Sequence, residues 1–291
     1  MLDEARAVTE TRLRAIALRL RRQHPGRLGE GFEYALGTIG KRVRPALVLA
    51  SYRAAGGASP AIDGVGAAVE IVHTYSLVHD DLPCMDDDDQ RRGRPTTHVQ
   101  FDVEIASLIG WLLVPVALEQ LLEACAELNL TTGVAARMAV TILEAGGIRG
   151  MIGGQWLDLE AEGQARDLDG VMEIHRRKTG ALIEASCVLG ALAAGAAEEE
   201  ITSLAGYGRE IGLAFQIADD ILDATATTSQ LGKTAGRDMA LAKSTYVGLL
   251  GVEGARREAE RRAELAIGHL TPALSSKSLT GLARYIVSRS S

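Results

Sequence analysis

Two aspartate-rich segments, 80–86 and 219–223, carry the residue types and spacings in this chain that are best suited to chemistry. Asp219 and Asp223 are four residues apart, so on a helix they share one face about 6 Å apart along the axis, and Gln216 lies on the same stripe. Each segment ends an otherwise apolar stretch, where clustered carboxylates are unfavourable unless a hard cation neutralises them. Carboxylates without His or Cys companions favour Mg²⁺, and a solvated acidic patch is the alternative.

Basic residues that could bind phosphate accompany both acidic segments. Arginines occur in the run 91–94, directly after the first segment. Upstream, Lys41 and Arg44 are predicted to lie one turn apart on a helix, and His73 to lie two turns before Asp80 on one helix face. The later candidates are Lys178, Thr179 and Lys233. Guanidinium forks and ammonium charges beside carboxylates suited to Mg²⁺ indicate a diphosphate site.

A nucleotide-binding loop is the alternative reading of the run 231–234, Leu-Gly-Lys-Thr. That loop requires a glycine five residues before Gly232, where this chain has Thr227. It also requires a preceding strand, where the sequence predicts an acidic helix. The sequence therefore argues against a nucleotide site.

Composition predicts a large helical core without an internal linker. Hydrophobic residues make up 47% of the chain and aromatic residues 4%, so Ala, Leu, Ile and Val must fill most of the core. Few alternating β-branched runs occur, and no strand is predicted. We expect an all-α bundle with acids facing inward from opposing helices. The predicted helices lie near 2–22, 41–55, 61–82, 100–127, 131–149, 168–195, 198–223, 254–269 and 277–289.

The net charge and the cysteine content indicate which partners and which cellular location to expect. The net charge is −7 and the basic residues are scattered, which argues against nucleic acid as a partner. The three cysteines lack metal-ligand spacing and predict a reducing, cytoplasmic location. The acidic N-terminus lacks the pattern of a signal peptide. The uncharged run 105–118 is too short to span a bilayer and contains Pro115, so it predicts a buried helix and no membrane span.

Further motifs follow in order from about residue 28 to the C-terminus. They are HDDLPCMD (79–86), RRGRPT (91–96), GGQ (153–155) with Asp158, KTG (178–180), FQIADD (215–220) and KSTY (243–246). With these motifs the chain resembles the trans-polyprenyl diphosphate synthases, most closely the bacterial farnesyl diphosphate synthase type. The resemblance implies a single polyprenyl synthase domain over residues 1–291. It also implies one large helical bundle of the isoprenoid synthase type with a central cavity.

The resemblance implies head-to-tail prenyl transfer and assigns roles to the candidate residues. Isopentenyl diphosphate would condense with dimethylallyl or geranyl diphosphate to give farnesyl diphosphate and pyrophosphate. Mg²⁺, about three ions per site, would assist ionisation of the allylic diphosphate. The implied metal ligands are Asp80, Asp86 and Asp219. The implied contacts of the allylic diphosphate are Arg91, Lys178 and Lys233. The implied pocket for isopentenyl diphosphate consists of Lys41, Arg44, His73 and Arg92. Thr179 and Gln216 would orient the reacting ends near the cation, and they complete the implied catalytic set.

Product length and oligomeric state are also implied by the resemblance. In the family, an aromatic residue five positions before the first aspartate limits elongation to fifteen carbons, and Tyr75 holds that position with Ser76 beside it. Trp111, on a helix that lines the elongation cavity and the dimer contact in the family, departs from the family pattern. A geranyl or geranylgeranyl diphosphate synthase is therefore an alternative. A homodimer is expected from the family and from the apolar run 105–118.

A terpene cyclase and a non-catalytic synthase subunit are two alternative functions. A terpene cyclase uses similar acids but binds one substrate, so it would not need the second cationic pocket. A non-catalytic synthase subunit would be expected to lose aspartates from one or both segments, and here both are intact.

Overall fold

The computed structural model describes residues 1–225, 244–274 and 276–288, and helices account for most of them. This confirms the all-α prediction. The predicted site residue Lys233 lies outside the described residues.

The first of two compact units contains residues 1–49 and 58–140. Within it, α4 is buried along nearly its whole length and packs against α6 and α1. Its core is built mainly of small and branched side chains, as the composition predicts. Its elements, with α3 and α7 continuing past its bounds, are α1 (Leu2–Gln23), α2 (Arg27–Leu36), α3 (Val43–Ala54), α4 (Ile62–Asp80), β1 (Gln90–Arg91), β2 (Arg94–Pro95), α5 (Thr97–Gln100), α6 (Val103–Glu127) and α7 (Thr132–Gly146).

The second unit contains residues 50–57 and 141–291. Within it, α11 packs against α10 and α12, and a π-helical segment (Arg176–Gly180) joins α9 to α10 without a break. The prediction of a single domain over the whole chain stays a prediction. The further elements of this unit are α8 (Met151–Glu160), α9 (Leu168–His175), α10 (Ala181–Ala194), α11 (Glu198–Thr225), α12 (Tyr246–His269) and α13 (Lys277–Ser288).

Several element boundaries differ from the sequence prediction. Helices α2 and α8 were not predicted, because their glycines lower helix propensity while packing of side chains such as Phe32 overrides it. Helix α3 begins at Val43 and not at residue 41, because Arg42 has a left-handed backbone with φ 51°. Lys41 therefore lies outside the helix, and the prediction that it shares a helix with Arg44 is wrong.

The prediction that the chain has no strand is also wrong, since β1 and β2 form a small antiparallel hairpin. Its two loop residues are Arg92 and Gly93, and both have positive φ, 54° and 73°. Two positive φ values in a two-residue loop match the twist of paired strands. The hairpin is only two residues long on each side, which is too short for periodicity to reveal.

Helix α6 is long and apolar enough to cross a membrane by length and composition alone. The run 105–118 lies inside this helix, Val103–Glu127, which agrees with the helix predicted near 100–127. Ten of its residues are buried, including Ile109 and Leu113, and one face packs against α4. That burial is what a core helix of a folded domain shows, so the helix is weak evidence for a membrane span.

Candidate active site

The first acidic segment begins where α4 ends. Asp80 is the last residue of that helix, and its carbonyl oxygen accepts a 2.8 Å hydrogen bond from the backbone N–H of Asp86. The intervening loop, which contains Pro83, therefore returns the chain beside its start. Both aspartates are partly exposed, so their carboxylates can be reached by a ligand.

Asp81, between them, has a different role. It is buried, and its Oδ1 accepts a 2.7 Å hydrogen bond from Nε of Arg91, whose Nη2 also lies 3.3 Å from Oδ2 of Asp88. Burial raises the pKa of Asp81, while the hydrogen bond from Arg91 opposes that rise. Burial would lower the pKa of Arg91, but Asp81 raises it above its ordinary value. Asp81 and Asp88 thus hold the guanidinium near the acidic loop.

The hairpin presents three arginines, and each has its own anchor. Beside Arg91, Nη1 of Arg92 donates a 3.0 Å hydrogen bond to the carbonyl of Ile39. The guanidinium of Arg94 lies 4.2 Å from the ring centroid of Tyr34, a cation–π contact. The Tyr34 hydroxyl donates to the carbonyl of Pro95 at 2.6 Å. No local sequence pattern indicates the anchors of Arg92 and Arg94, because they join residues more than fifty positions apart.

His73, on α4, is subject to the charges of several arginines of the first unit. Burial lowers its pKa well below the ordinary value, and positive charges add to the effect. In decreasing order, those charges belong to Arg44, Arg92, Arg91 and Arg42. The imidazole is therefore neutral near pH 7 and can donate or accept a hydrogen bond. Lys41 is exposed just before α3.

In the second unit, the π-helical segment directs Lys178 and Thr179 to separate partners. Nζ of Lys178 lies 2.7 Å from Oδ2 of Asp158 on α8. The Thr179 hydroxyl donates a 2.8 Å hydrogen bond to Oε1 of Gln216 on α11. Single-turn π-segments frequently occur at functional sites, because they re-aim side chains within a helix. Thr179 and Gln216 are thus in direct contact.

Glycines allow the neighbouring helices to approach this segment closely. A Cβ atom at Gly154 of α8 would lie 2.1 Å from the backbone N of Lys178. A Cβ atom at Gly212 of α11 would lie 2.6 Å from Cα of Gly180. Any side chain at either position would push a helix away from the residues that carry Lys178 and Thr179.

The three aspartates on α11 have different surroundings. Asp219 is partly exposed, on the stripe of Gln216. Asp220 is buried, and its carboxylate accepts hydrogen bonds from Nε2 of Gln216 at 3.3 Å and from the backbone N of Tyr246 at 3.0 Å. Asp223 is buried, and its Oδ1 has no hydrogen-bond partner among the described residues. Asp220 therefore anchors α12, while Asp223 keeps an unsatisfied acceptor.

His175, which the sequence analysis missed, lies buried beside Asp220. Its ring stacks on Tyr246 with centroids 5.5 Å apart, and its Nε2 lies 3.8 Å from Oδ1 of Asp220. Burial lowers its pKa to about 3; Asp158 opposes and Lys178 adds to this shift. A neutral imidazole thus supports the helix that carries the second acidic segment.

Tyr75 and Ser76 are both buried on α4 below Asp80. The Tyr75 ring meets the His79 ring edge to face, with centroids 5.1 Å apart. Nε2 of His79 lies 3.1 Å from the carbonyl oxygen of Ser107 on α6. The Ser76 hydroxyl donates to a backbone carbonyl of its own helix. The Tyr75 ring is thus held in place by the His79 ring, which is itself in contact with α6.

Comparison with known proteins adds the decisive observation. The profile of the polyprenyl synthetase family matches residues 26–277, most of the chain. The chain belongs to this family. It is therefore a prenyltransferase of isoprenoid biosynthesis, as its resemblance implied.

Individual members of the polyprenyl synthetase family match most of this chain. Farnesyl diphosphate synthase of Escherichia coli is 45% identical over 89% of this chain and 88% of its own. Geranylgeranyl pyrophosphate synthase 11 of Arabidopsis thaliana is 42% identical over 92% of this chain and 76% of its own. A crystal structure of geranyltransferase from Helicobacter pylori, complexed with magnesium and isoprenyl diphosphate, has a TM-score of 0.79 and 32% identity, covering 97% of this chain and 96% of its own. Similar solved structures, including this one, have the helical-bundle fold of isoprenoid synthases, which confirms the predicted fold class.

The carboxylates of the two acidic segments can be compared with the ligands that a magnesium ion usually takes in proteins. Among the described residues, no three His, Cys, Asp or Glu side chains converge on a metal position. Mg²⁺ usually takes only one or two carboxylates and completes its shell with water and substrate phosphates. The partly exposed Asp80 and Asp86 fit that pattern, as does Oδ1 of Asp223, which has no hydrogen-bond partner in the described part of the chain.

Proposed function

We propose that this prenyltransferase condenses isopentenyl diphosphate with allylic diphosphates and releases farnesyl diphosphate as its main product. The supporting observation is the buried Tyr75 ring, five residues before Asp80 and braced by His79. A chain growing from the acidic loop along α4 would meet this ring. Displacing it would require repacking a dense interior, so elongation would stop there.

The allylic diphosphate would bind at the acidic segments. Asp80, Asp86 and Asp219 would hold Mg²⁺, which supplies electrostatic stabilisation of the leaving pyrophosphate when bound. Support comes from the carboxylate donors and from the magnesium reported with the Helicobacter relative. The number of ions, about three, is carried over from the family and stays a proposal.

The bases near the leaving group would share the developing charge. Arg91 is pre-positioned by Asp81 and Asp88, so little reorganisation is needed when a diphosphate arrives. Lys178 and Lys233, the latter outside the described residues, are the other proposed contacts of this diphosphate. Loss of pyrophosphate leaves an allylic cation. The oxygen dipoles of Thr179 and Gln216, which hydrogen-bond each other, would stabilise the positive charge of this cation.

Isopentenyl diphosphate would bind to Lys41, Arg44, His73 and Arg92 without a metal. The charges of Arg44 and Arg92 both lower the pKa of His73, which supports assigning these groups to one pocket. The double bond of isopentenyl diphosphate attacks the cation, a carbon–carbon bond forms, and a proton leaves. The released pyrophosphate can accept that proton, so no side chain need be the base.

The enzyme is further proposed to be a cytoplasmic homodimer. Leu108, Trp111, Leu112 and Pro115 are exposed on one face of α6, at the spacing of a helical stripe. An exposed apolar stripe of this size is unfavourable in water, and a second copy of the chain is the proposed occupant. The cytoplasmic location rests on the free cysteines and on the chain's composition.

Product analysis tests the farnesyl proposal. The purified enzyme is incubated with radiolabelled isopentenyl diphosphate and, separately, dimethylallyl, geranyl or farnesyl diphosphate. We expect fifteen-carbon diphosphate from the first two starters and little turnover of the third. Twenty-carbon product as the main species would contradict the proposal and favour the geranylgeranyl alternative, which is supported by the identity with the Arabidopsis relative.

A further inference from the structure

Arg42 and Glu70 form a buried ion pair in the first unit. Nη1 of Arg42 lies 2.6 Å from Oε1 of Glu70, and both side chains are only 3% exposed. Glu10 lies further from the same guanidinium, at 3.9 Å. Ion pairs this deeply buried gain little net stability, since apolar residues of similar volume often do as well. A contribution to the stability of the fold therefore does not by itself explain why the chain contains this pair.

The pair is connected to the loop that carries Lys41. Nη2 of Arg42 donates a 2.6 Å hydrogen bond to the carbonyl of Thr38, and Arg92 donates to the next carbonyl, that of Ile39. Two guanidinium groups thus fix the loop through backbone oxygens. The side chains at 38 and 39 make neither bond.

The same pair is connected to the pocket for isopentenyl diphosphate. Glu70 lies one turn before His73 on α4, and it is the strongest influence that raises the pKa of Arg92 against the lowering effect of burial. The left-handed backbone of Arg42 directs its own side chain inward. Its neighbour Lys41 is left exposed.

We propose that the Arg42–Glu70 ion pair positions the cationic pocket, by fixing the Lys41 loop against α4 so that Lys41, Arg44 and His73 face one diphosphate. The inference rests on the proposed assignment of this pocket to isopentenyl diphosphate. Arg42 and Glu70 are positioning residues and do not touch the substrate. Their loss should therefore weaken isopentenyl diphosphate binding and spare the allylic partner.

The test separates positioning from simple stabilisation. Glu70→Gln removes the charge, and the double variant Arg42→Met/Glu70→Met replaces the pair by apolar side chains that can pack. We expect both to raise KM for isopentenyl diphosphate about tenfold, the effect of one lost charge-assisted hydrogen bond, while KM for geranyl diphosphate changes less than about twofold. The double variant should also keep a Tm near the wild-type value.

The control is Glu210→Gln in the second unit, whose partner Arg262 lies 2.9 Å away; both side chains of that pair are 15% exposed. It should lower Tm without raising KM for isopentenyl diphosphate; an equal rise would overturn the inference. A double variant with wild-type Tm and wild-type KM would also overturn it. Lys41→Ala is measured alongside. If Lys41→Ala leaves KM for isopentenyl diphosphate unchanged, the pocket assignment fails and the inference falls with it.

Discussion

Gly110 on α6 makes room for the imidazole of His79 on α4: a Cβ atom at position 110 would lie 2.0 Å from Nε2 of His79. This contact places His79 where it reaches the carbonyl of Ser107 and the edge of the Tyr75 ring. The neighbouring Trp111 is 66% exposed. The glycine therefore supports the ring proposed to limit product length.

Gly110→Ala should displace His79 and loosen Tyr75. We expect a loss of about 1–3 kcal/mol in the free energy of unfolding, typical of overpacking, together with some product longer than fifteen carbons. Thermal unfolding and product chromatography measure the two effects. The control is Gly268→Ala on α12, where a Cβ atom meets nothing within 4 Å. An alanine at 110 with wild-type stability would show that the close contact is absent.

Tyr75→Ala should lengthen the product towards twenty carbons or beyond, because it removes the proposed floor without touching a diphosphate contact. Dependence of turnover on Mg²⁺ should be unchanged. Trp111→Ala is the comparison, and we expect its product distribution to match the wild type because its ring is exposed. Lengthening by the Trp111 variant, with none by the Tyr75 variant, would transfer the role to Trp111.

Neighbouring aspartates on α11 should respond differently to alanine. Asp219→Ala should reduce turnover by several orders of magnitude with little change in Tm, as should Asp80→Ala, since each removes a proposed metal ligand. Asp220→Ala should destabilise the fold by about 1–3 kcal/mol, because the N–H of Tyr246 and the amide of Gln216 lose their acceptor. Turnover and chemical denaturation distinguish the two. Normal turnover in both Asp80→Ala and Asp219→Ala would refute the metal assignment.

His175 should make the stability of the protein depend on pH. Its folded pKa of about 3 lies below the ordinary 6.5, so only the unfolded chain takes up its proton as pH falls below 6.5. Its contribution is therefore present above pH 6.5 and is lost at roughly 1 kcal/mol per pH unit below it. His175→Phe keeps a ring against Tyr246 and should flatten this dependence. The exposed His24→Gln serves as the control, and identical slopes for all three proteins would disprove the shift.

The exposed stripe on α6 should carry the dimer contact. Leu108→Asp/Leu112→Asp would place two charges in that contact, where each would be buried without a partner. We expect a dimer for the wild type and a monomer for this variant at micromolar concentration in analytical ultracentrifugation. Leu18→Asp, at an exposed leucine of α1, should leave the dimer intact. A monomeric wild type would contradict the homodimer proposal.

The hairpin and the π-helical segment are two local structures that have no recognisable pattern in the sequence. Two residues per strand are too few for periodicity, and the turn places Arg92 at a positive φ that arginine rarely adopts. The π-segment preserves an uninterrupted helical pattern, so nothing in the sequence indicates that Lys178 and Thr179 aim at different partners.

The sequence by itself determined the helical class, the family and the identities of the candidate residues. Composition and motif order are local properties of the chain, and they suffice for that. Only the tertiary structure decided which partner each charged side chain has. Asp81 pairs with Arg91, Arg42 pairs with Glu70, and Asp220 accepts a hydrogen bond from the N–H of Tyr246. Those pairings join residues distant in sequence, and their effects on pKa and geometry depend on burial, which no spacing along the chain reports.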